Sequence, residues 1–158
     1  MAPGVYQQMK KYGLKKIEIM IPLTPTGQMR ARHAMSRSKS GRRFSTTYKS
    51  GKQQSNEQRI MFYLQHSVPI QPIKDAVSIG VRCYMPIPKS KPKKWKEEAR
   101  QGLIRPTTKP DLDNLCKNIL ECLTMMRFIH DDRQIVEFLP GTGKYYSENP
   151  RWELELIW

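Results

Sequence analysis

The stretch 109-KPDLDNLCKNILECL-123 sets two aspartates one residue apart, directly behind a proline, and then runs into a helical pattern. Pro110 disfavours the helical conformation at Lys109, so the chain enters the stretch extended. Extended backbone has a side-chain period of two, which puts Asp111 and Asp113 on the same side. Downstream, Leu115, Ile119, Leu123 and Met126 recur at helical spacing with Cys122 beside them, predicting an amphipathic helix that begins near Asp113. Asp113 at its head is placed to cap free backbone N–H groups. Lys117, four residues on, shares a face with Asp113 and lies roughly opposite Leu115. Two carboxylates and one ammonium are therefore expected to point away from the core toward a common place.

A second acidic pair follows in 128-FIHDDRQIVEF-138, where Asp131 and Asp132 lead into a predicted strand. Helix and strand form an α–β hairpin, whose return can bring the strand start near the helix N-terminus. Three carboxylates meeting there repel one another: each pair at about 4 Å costs roughly 4 kcal/mol at an effective dielectric near 20. Protonation or a divalent cation must relieve that, and oxygen-only ligands suit Mg²⁺ or Mn²⁺. The plainer reading makes Asp at a helix start a cap and a partner for the helix dipole. On that reading an Asp pair before a strand is a turn.

Upstream, DAVSIGVRCYMPIP (75–88) alternates Val77, Ile79, Val81 and Cys83 and predicts a strand. KKIEIMIPL (15–23) alternates Ile17, Ile19 and Ile21 and predicts another, ended by PLTPTG. SNEQRIMFYLQH (55–66) has a capping serine, an early glutamate and an apolar stripe, so it reads as a helix. A helical turn is expected from Trp95 to Gln101, ended by Gly102. RQIVEFLP (133–140) and RWELELIW (151–158) read as two further strands joined by GTGKYYSENP. Residues 30–53 read as a basic loop with one short strand at RRFSTTY, and residues 1–14 as a flexible N-terminal arm. The order predicts an α+β fold with a mixed sheet and helices packed on one face. Residues 15–158 form that single small domain, long enough for one core without staples.

Charge narrows the class. The chain holds 28 Lys+Arg against 14 Asp+Glu, a formal net of +14. The imbalance is uneven: residues 1–110 carry 23 basic and 5 acidic side chains, residues 111–158 carry 5 and 9. A net charge this large implies a polyanionic partner, with nucleic acid foremost. The cations Lys89, Lys91, Lys93, Lys94, Lys96, Arg100, Arg105 and Lys109 lead straight to the acidic stretch and are expected to contact phosphates. Trp95 and Phe44 are candidates for stacking on nucleic-acid bases, with core packing the competing role. His33, His66 and His130 have no metal spacing, and His130 reads as a surface or packing residue. No run nears the roughly 18 apolar residues that span a bilayer, and the N-terminus lacks a secretory h-region. Three cysteines without a C-x-x-C pair are expected to be reduced, packed thiols of a cytoplasmic protein.

KPDLDNLCKNILECL followed by FIHDDRQIVEF closely resembles the RusA family of Holliday junction resolvases, small endodeoxyribonucleases of bacteria and their phages. The resemblance extends upstream through PKKWKEEARQGLIRPTTKPDLDN and is tightest between Pro106 and Val136. It implies that Asp111, Asp113 and Asp132 are the metal-binding and catalytic aspartates and that Lys117 is the catalytic lysine. It also implies a homodimer dependent on Mg²⁺, with Mn²⁺ as a substitute, that nicks two strands of a four-way junction symmetrically. In that mechanism the ions hold the scissile phosphate, generate a nucleophilic water and stabilise charge on attacking and leaving oxygens. Lys117 adds a cation against the transition state, and Asp131 turns the chain. Two alternatives compete: a non-catalytic basic nucleic-acid-binding protein, and a metal nuclease for forks or flaps.

Overall fold

The computed structural model describes residues 12–158, so the expected N-terminal arm falls largely outside the described residues. In chain order the elements are β1 (Lys16–Ile21), β2 (Arg32–Arg37), β3 (Arg43–Tyr48), α1 (Gly51–Leu64), β4 (Val77–Pro86), α2 (Lys93–Arg100), α3 (Leu112–Met125), β5 (Ile135–Phe138), β6 (Gly143–Ser147) and β7 (Arg151–Ile157). β4, the strand with the clearest alternation, is the spine of a five-stranded mixed sheet. On one side it pairs antiparallel with β7, which pairs antiparallel with β1. Its other side is divided between two short parallel strands, β5 along the first half and β6 along the second.

The period-two pattern fixes which face is covered. Val77, Ile79, Val81 and Cys83 of β4, Trp152, Leu154 and Leu156 of β7, and Ile19 and Ile21 of β1 share one core. Against it pack Ile60 and Leu64 of α1 and Leu115, Ile119, Cys122 and Leu123 of α3. The opposite face is polar: Glu155 bonds Lys16 at 2.9 Å and Arg82 at 3.2 Å. Burial works against that carboxylate, yet the two cations outweigh it and hold its pKa below the ordinary range. The smaller α2 packs at the sheet edge, where Trp95 meets Tyr146 of β6 edge-on at 5.3 Å. Trp95 is thus a packing residue; Phe44, half exposed on β3, is not.

The α+β class, the mixed sheet and the principal strands are as the sequence predicts. Two strands were not predicted. β2 lies inside the expected basic loop and pairs antiparallel with β3, the strand expected at RRFSTTY, as a separate two-stranded sheet, and β6 lies inside the expected connector GTGKYYSENP. α1 starts at Gly51, not Ser55, because Ser50 accepts from the Gln53 backbone N at 3.2 Å and caps the helix there. α2 ends as expected before Gly102, which adopts φ +77°, a conformation glycine takes without Cβ strain.

Candidate active site

α3 begins at Leu112, one residue earlier than the sequence predicts. Asp111 is its extended N-cap residue, with φ −71° and ψ 151°, and Asp113 already sits in the first helical turn. Extended alternation is therefore not what aligns the two carboxylates. The helix entry does so instead, and both still line one depression of about 430 Å³ with Lys117. Neither acts as the expected side-chain cap. Asp111 makes no capping hydrogen bond. Asp113 is 71% exposed and its Oδ2 accepts from Lys117 Nζ at 3.3 Å, one turn down the helix.

Asp132 is delivered by the turn that follows α3. It opens a 3-10 turn, Asp132–Gln134, that α3 reaches through Phe128 and Ile129, both buried. Asp131 caps that turn by accepting from Arg133 N at 2.9 Å and Arg133 Nε at 2.7 Å. Those bonds, the side-chain one foremost, hold the Asp131 carboxyl down at about 2. Gln134 closes the box: its Oε1 accepts from His130 N and Asp131 N, and its Nε2 donates to Ile73 O at 2.8 Å. Asp131 thus makes the turn, and Asp132 lines a cavity of about 730 Å³ with Asp113, Lys117, Cys116 and Phe138. A third depression, of about 460 Å³, is lined by Lys117, Asp131, Asp132 and Gln28. Lys117 borders all three. His130 is exposed and contributes its backbone N–H to the turn.

The structure divides the three carboxylates expected to converge between two depressions. Asp111 and Asp113 share one depression, Asp113 and Asp132 another. Among the described residues no three His, Cys, Asp or Glu groups are gathered as a metal cage. The donor chemistry nonetheless fits a hard divalent cation, since these are exposed, oxygen-only carboxylates able to change rotamer around adjoining depressions. Cys116, which lines the cavity of Asp113 and Asp132, is buried, and burial, then the Asp113 charge, push its thiol up to about 11. Cys83 and Cys122 are free and buried too, each pushed up to about 12 by burial.

Beneath the carboxylates lies a buried polar network that sequence reasoning missed. Gln53 of α1 donates to Glu57 Oε1 at 2.7 Å and to Asn118 Oδ1 of α3 at 3.1 Å, and its own Oε1 accepts from Met29 N at 2.9 Å. Asn118 in turn donates to Thr26 O at 2.8 Å. Lys49 Nζ bridges Glu57 and Glu121 at 2.9 and 2.7 Å. Burial alone would lower the Lys49 pKa, but the bonds to Glu121 and Glu57 prevail and raise it. This network ties residues 26–29 to α3. Gly27 permits the approach: a Cβ there would lie 2.7 Å from Asn114 Nδ2 and 2.9 Å from Pro110 Cβ. Gln28, its neighbour, is thereby brought to the rim of two of the three depressions. Pro25 and Gly27 in PLTPTG were the only sequence signal, and they read simply as a strand stop.

The basic approach is also more structured than expected. Lys144 of β6 donates from Nζ to Thr108 O and to Pro110 O, pinning the chain just before Asp111. Arg105 lies 3.7 Å over the Tyr145 ring, which stacks on Tyr84, whose far face carries Arg151 at 3.8 Å. Arg100 is paired with Glu97 and Glu148, and Lys96 Nζ bonds Lys89 O at 2.9 Å. Lys93, Lys94, Lys96 and Arg100 do line one shallow depression along α2. Lys93, Lys94 and Lys109 are exposed.

A family model described as "Endodeoxyribonuclease RusA" matches residues 22–157, nearly the whole chain. The chain is also 45% identical over 84 residues to "Uncharacterized protein YqaN" of Bacillus subtilis (strain 168). That match takes in 52% of this chain and 57% of the relative, so the chain spans little more than half the relative's length.

Proposed function

The chain belongs to the RusA endodeoxyribonuclease family, and on that footing we propose that it is a metal-dependent nuclease that nicks branched DNA, four-way junctions foremost. The observation that carries the reading is the meeting of Asp113, Lys117 and Asp132 on one cavity, with Asp111 on the adjoining rim. Helix spacing brings Lys117 to Asp113, but neither the helix cap nor the turn before β5 accounts for Asp111 and Asp132 there. Asp111 is not spent on capping its helix, and the turn before β5 is made by Asp131.

Asp111, Asp113 and Asp132 are the residues that would hold one or two Mg²⁺ ions. Such ions supply Lewis acidity, activating water near neutral pH and stabilising charge on the leaving oxygen. Lys117 provides a cation 3.3 Å from Asp113 and faces a phosphate entering the cavity. Gln28, held by its backbone N–H on Asn114 O at 3.3 Å, lines the two adjoining depressions that Lys117 also borders and orients polar ligands there. Lys93, Lys94 and Lys109 attract the backbone without reading sequence, as structure selection requires. A four-way junction is close to two-fold symmetric, so paired nicks call for two copies of this site in an isologous homodimer.

The test compares end-labelled four-way junction, fork and linear duplex under one set of conditions, with Mg²⁺ and with chelator. The proposal expects Mg²⁺-dependent nicks in opposed strands of the junction and little cutting of linear duplex. Equal cutting of all three would assign a different nuclease. Tight binding with no cutting in either Mg²⁺ or Mn²⁺ would reduce the protein to a binder.

A further inference from the structure

We propose that the β2–β3 hairpin is a DNA arm, a basic two-stranded ribbon that seats in the groove of a duplex arm beside the acidic centre. The inference rests on the reading of branched DNA as substrate and assigns part of its recognition to a segment outside the catalytic constellation.

Three observations carry it. The first is exposure. Every residue of β2 and β3 is exposed except half-buried Ala34. A two-stranded hairpin with neither face covered is marginal in water, so its place in the working protein is against something else.

The second is charge. Between Glu18 and Glu57 the chain has no acidic residue and eight basic ones. Arg37 stands directly opposite Arg43 in the hairpin register, a like-charge pair that destabilises the free ribbon. At the tip, Gly41 takes φ +80° and Ser38 N donates to Arg42 O at 2.9 Å, which sets Lys39 and Arg42 at the far end. A polyanion relieves all of this at once. A second copy of the same cationic ribbon does the reverse, which argues against self-association as the occupant.

The third is placement. Met29, Arg30 and Ala31, which lead into β2, line the depression that holds Asp111 and Asp113. Lys49, which follows β3, lines the same depression and is fixed to Glu57 and Glu121. Both legs of the hairpin are thus rooted at the carboxylates. Strands of six residues at a rise of about 3.3 Å each carry the tip about 20 Å away. The major groove is about 12 Å wide and admits a two-stranded ribbon. An arm of this length reaches along a duplex from a scissile phosphate held at its base.

The experiment uses the full chain and a variant combining Arg37→Ala, Lys39→Ala, Arg42→Ala and Arg43→Ala, all exposed positions. Affinity for a four-way junction and for linear duplex is measured over a salt series without divalent metal, so that cutting does not intervene. Circular dichroism and light scattering follow fold and oligomeric state. Expected are an unchanged fold and oligomeric state, at least a tenfold loss of junction affinity, and a log K against log salt slope shallower by about three to four, since each lost phosphate contact removes about 0.9. An unchanged slope, or an affinity loss that tracks dissociation of an oligomer, overturns the assignment. If the unaltered chain binds neither DNA, the nuclease reading falls along with it. If the unaltered chain binds the junction and the variant binds equally well, only the arm is refuted.

Discussion

Helix α3 carries two sets of polar side chains that the fold treats in opposite ways. On its inner side Asn118 is fully buried and engaged by Gln53 and Thr26, while the buried Glu57 facing it from α1 is answered by Lys49 and Gln53. At its outer end Asp111, Asp113 and Lys117 are exposed, and the ion pair that joins two of them links surface groups of 71% and 65% exposure. Exposed pairs of that kind add little to stability, whereas a buried charge that loses its partner costs several kcal/mol. The inner set therefore holds the helix and the 26–29 segment in place. The outer set contributes almost nothing to holding the fold, and that freedom is what a catalytic group needs. If the contrast is right, substitutions in the outer and inner sets separate activity from stability.

The largest effect is expected at the outer set. Asp113→Asn should lower junction nicking by about a thousandfold or more, the scale of losing a group that organises transition-state charge, with melting temperature and junction binding nearly unchanged. Asp132→Asn should behave likewise, while Asp131→Asn should retain most activity, because Asp131 builds the turn. A dead Asp131→Asn beside an active Asp132→Asn would reverse that pair.

At the inner set the order inverts. Lys49→Met leaves Glu57 buried against Gln53 without its cation and should destabilise the fold by about 3 kcal/mol, lowering the melting temperature by roughly 6–12 °C at this chain length. Asn118→Ala strands the Thr26 carbonyl and one Gln53 N–H and should cost about 2 kcal/mol. Melting curves check both, and full stability in either variant would break the contrast. Gly27→Ala is the intermediate case: its Cβ collides with Asn114 and Pro110, so about 1–2 kcal/mol of stability should be lost. Activity should fall along with it, since Gln28 moves off the rim.

The smallest effect concerns pH. The Asp131 carboxyl is depressed from an ordinary 3.8 to about 2 by Arg133. A depressed carboxylate contributes stability above its ordinary pKa and loses it as pH falls through the folded value. The turn carrying Asp132 should therefore be insensitive to pH from 5 to 8 and loosen only between about pH 4 and 2. Carbon-13 titration of Asp131 should show its midpoint near 2, returning toward the ordinary value in Arg133→Ala.

The same contrast explains what the sequence made legible. α3, β4 and β7 each cover a core face with an unbroken apolar period, so pattern alone found them. β2 has no covered face and hence no apolar alternation, β3 showed only as one short strand at RRFSTTY, and β6 is a five-residue strand between glycine and Asn-Pro turn signals. Asp111, Asp113 and the pair Asp131 and Asp132 stood out because carboxylates are rare in so basic a chain and fell at element starts; Lys117 stood out by its four-residue spacing from Asp113, and the family resemblance chose Asp132 within its pair. Their division between two cavities required the tertiary path through Phe128 and Ile129. The inner network gave no local sign, because Gln53 and Asn118 are 65 residues apart and look like surface amides until α1 packs on α3.

The decisive measurement is strand cutting of a synthetic four-way junction by the full chain in Mg²⁺, with Asp113→Asn alongside at equal DNA occupancy. The account predicts paired nicks in opposed strands by the unaltered chain and intact DNA with the variant, both folded and both bound. Equal cutting by the two proteins, or no cutting by the unaltered chain while it remains bound, would contradict it.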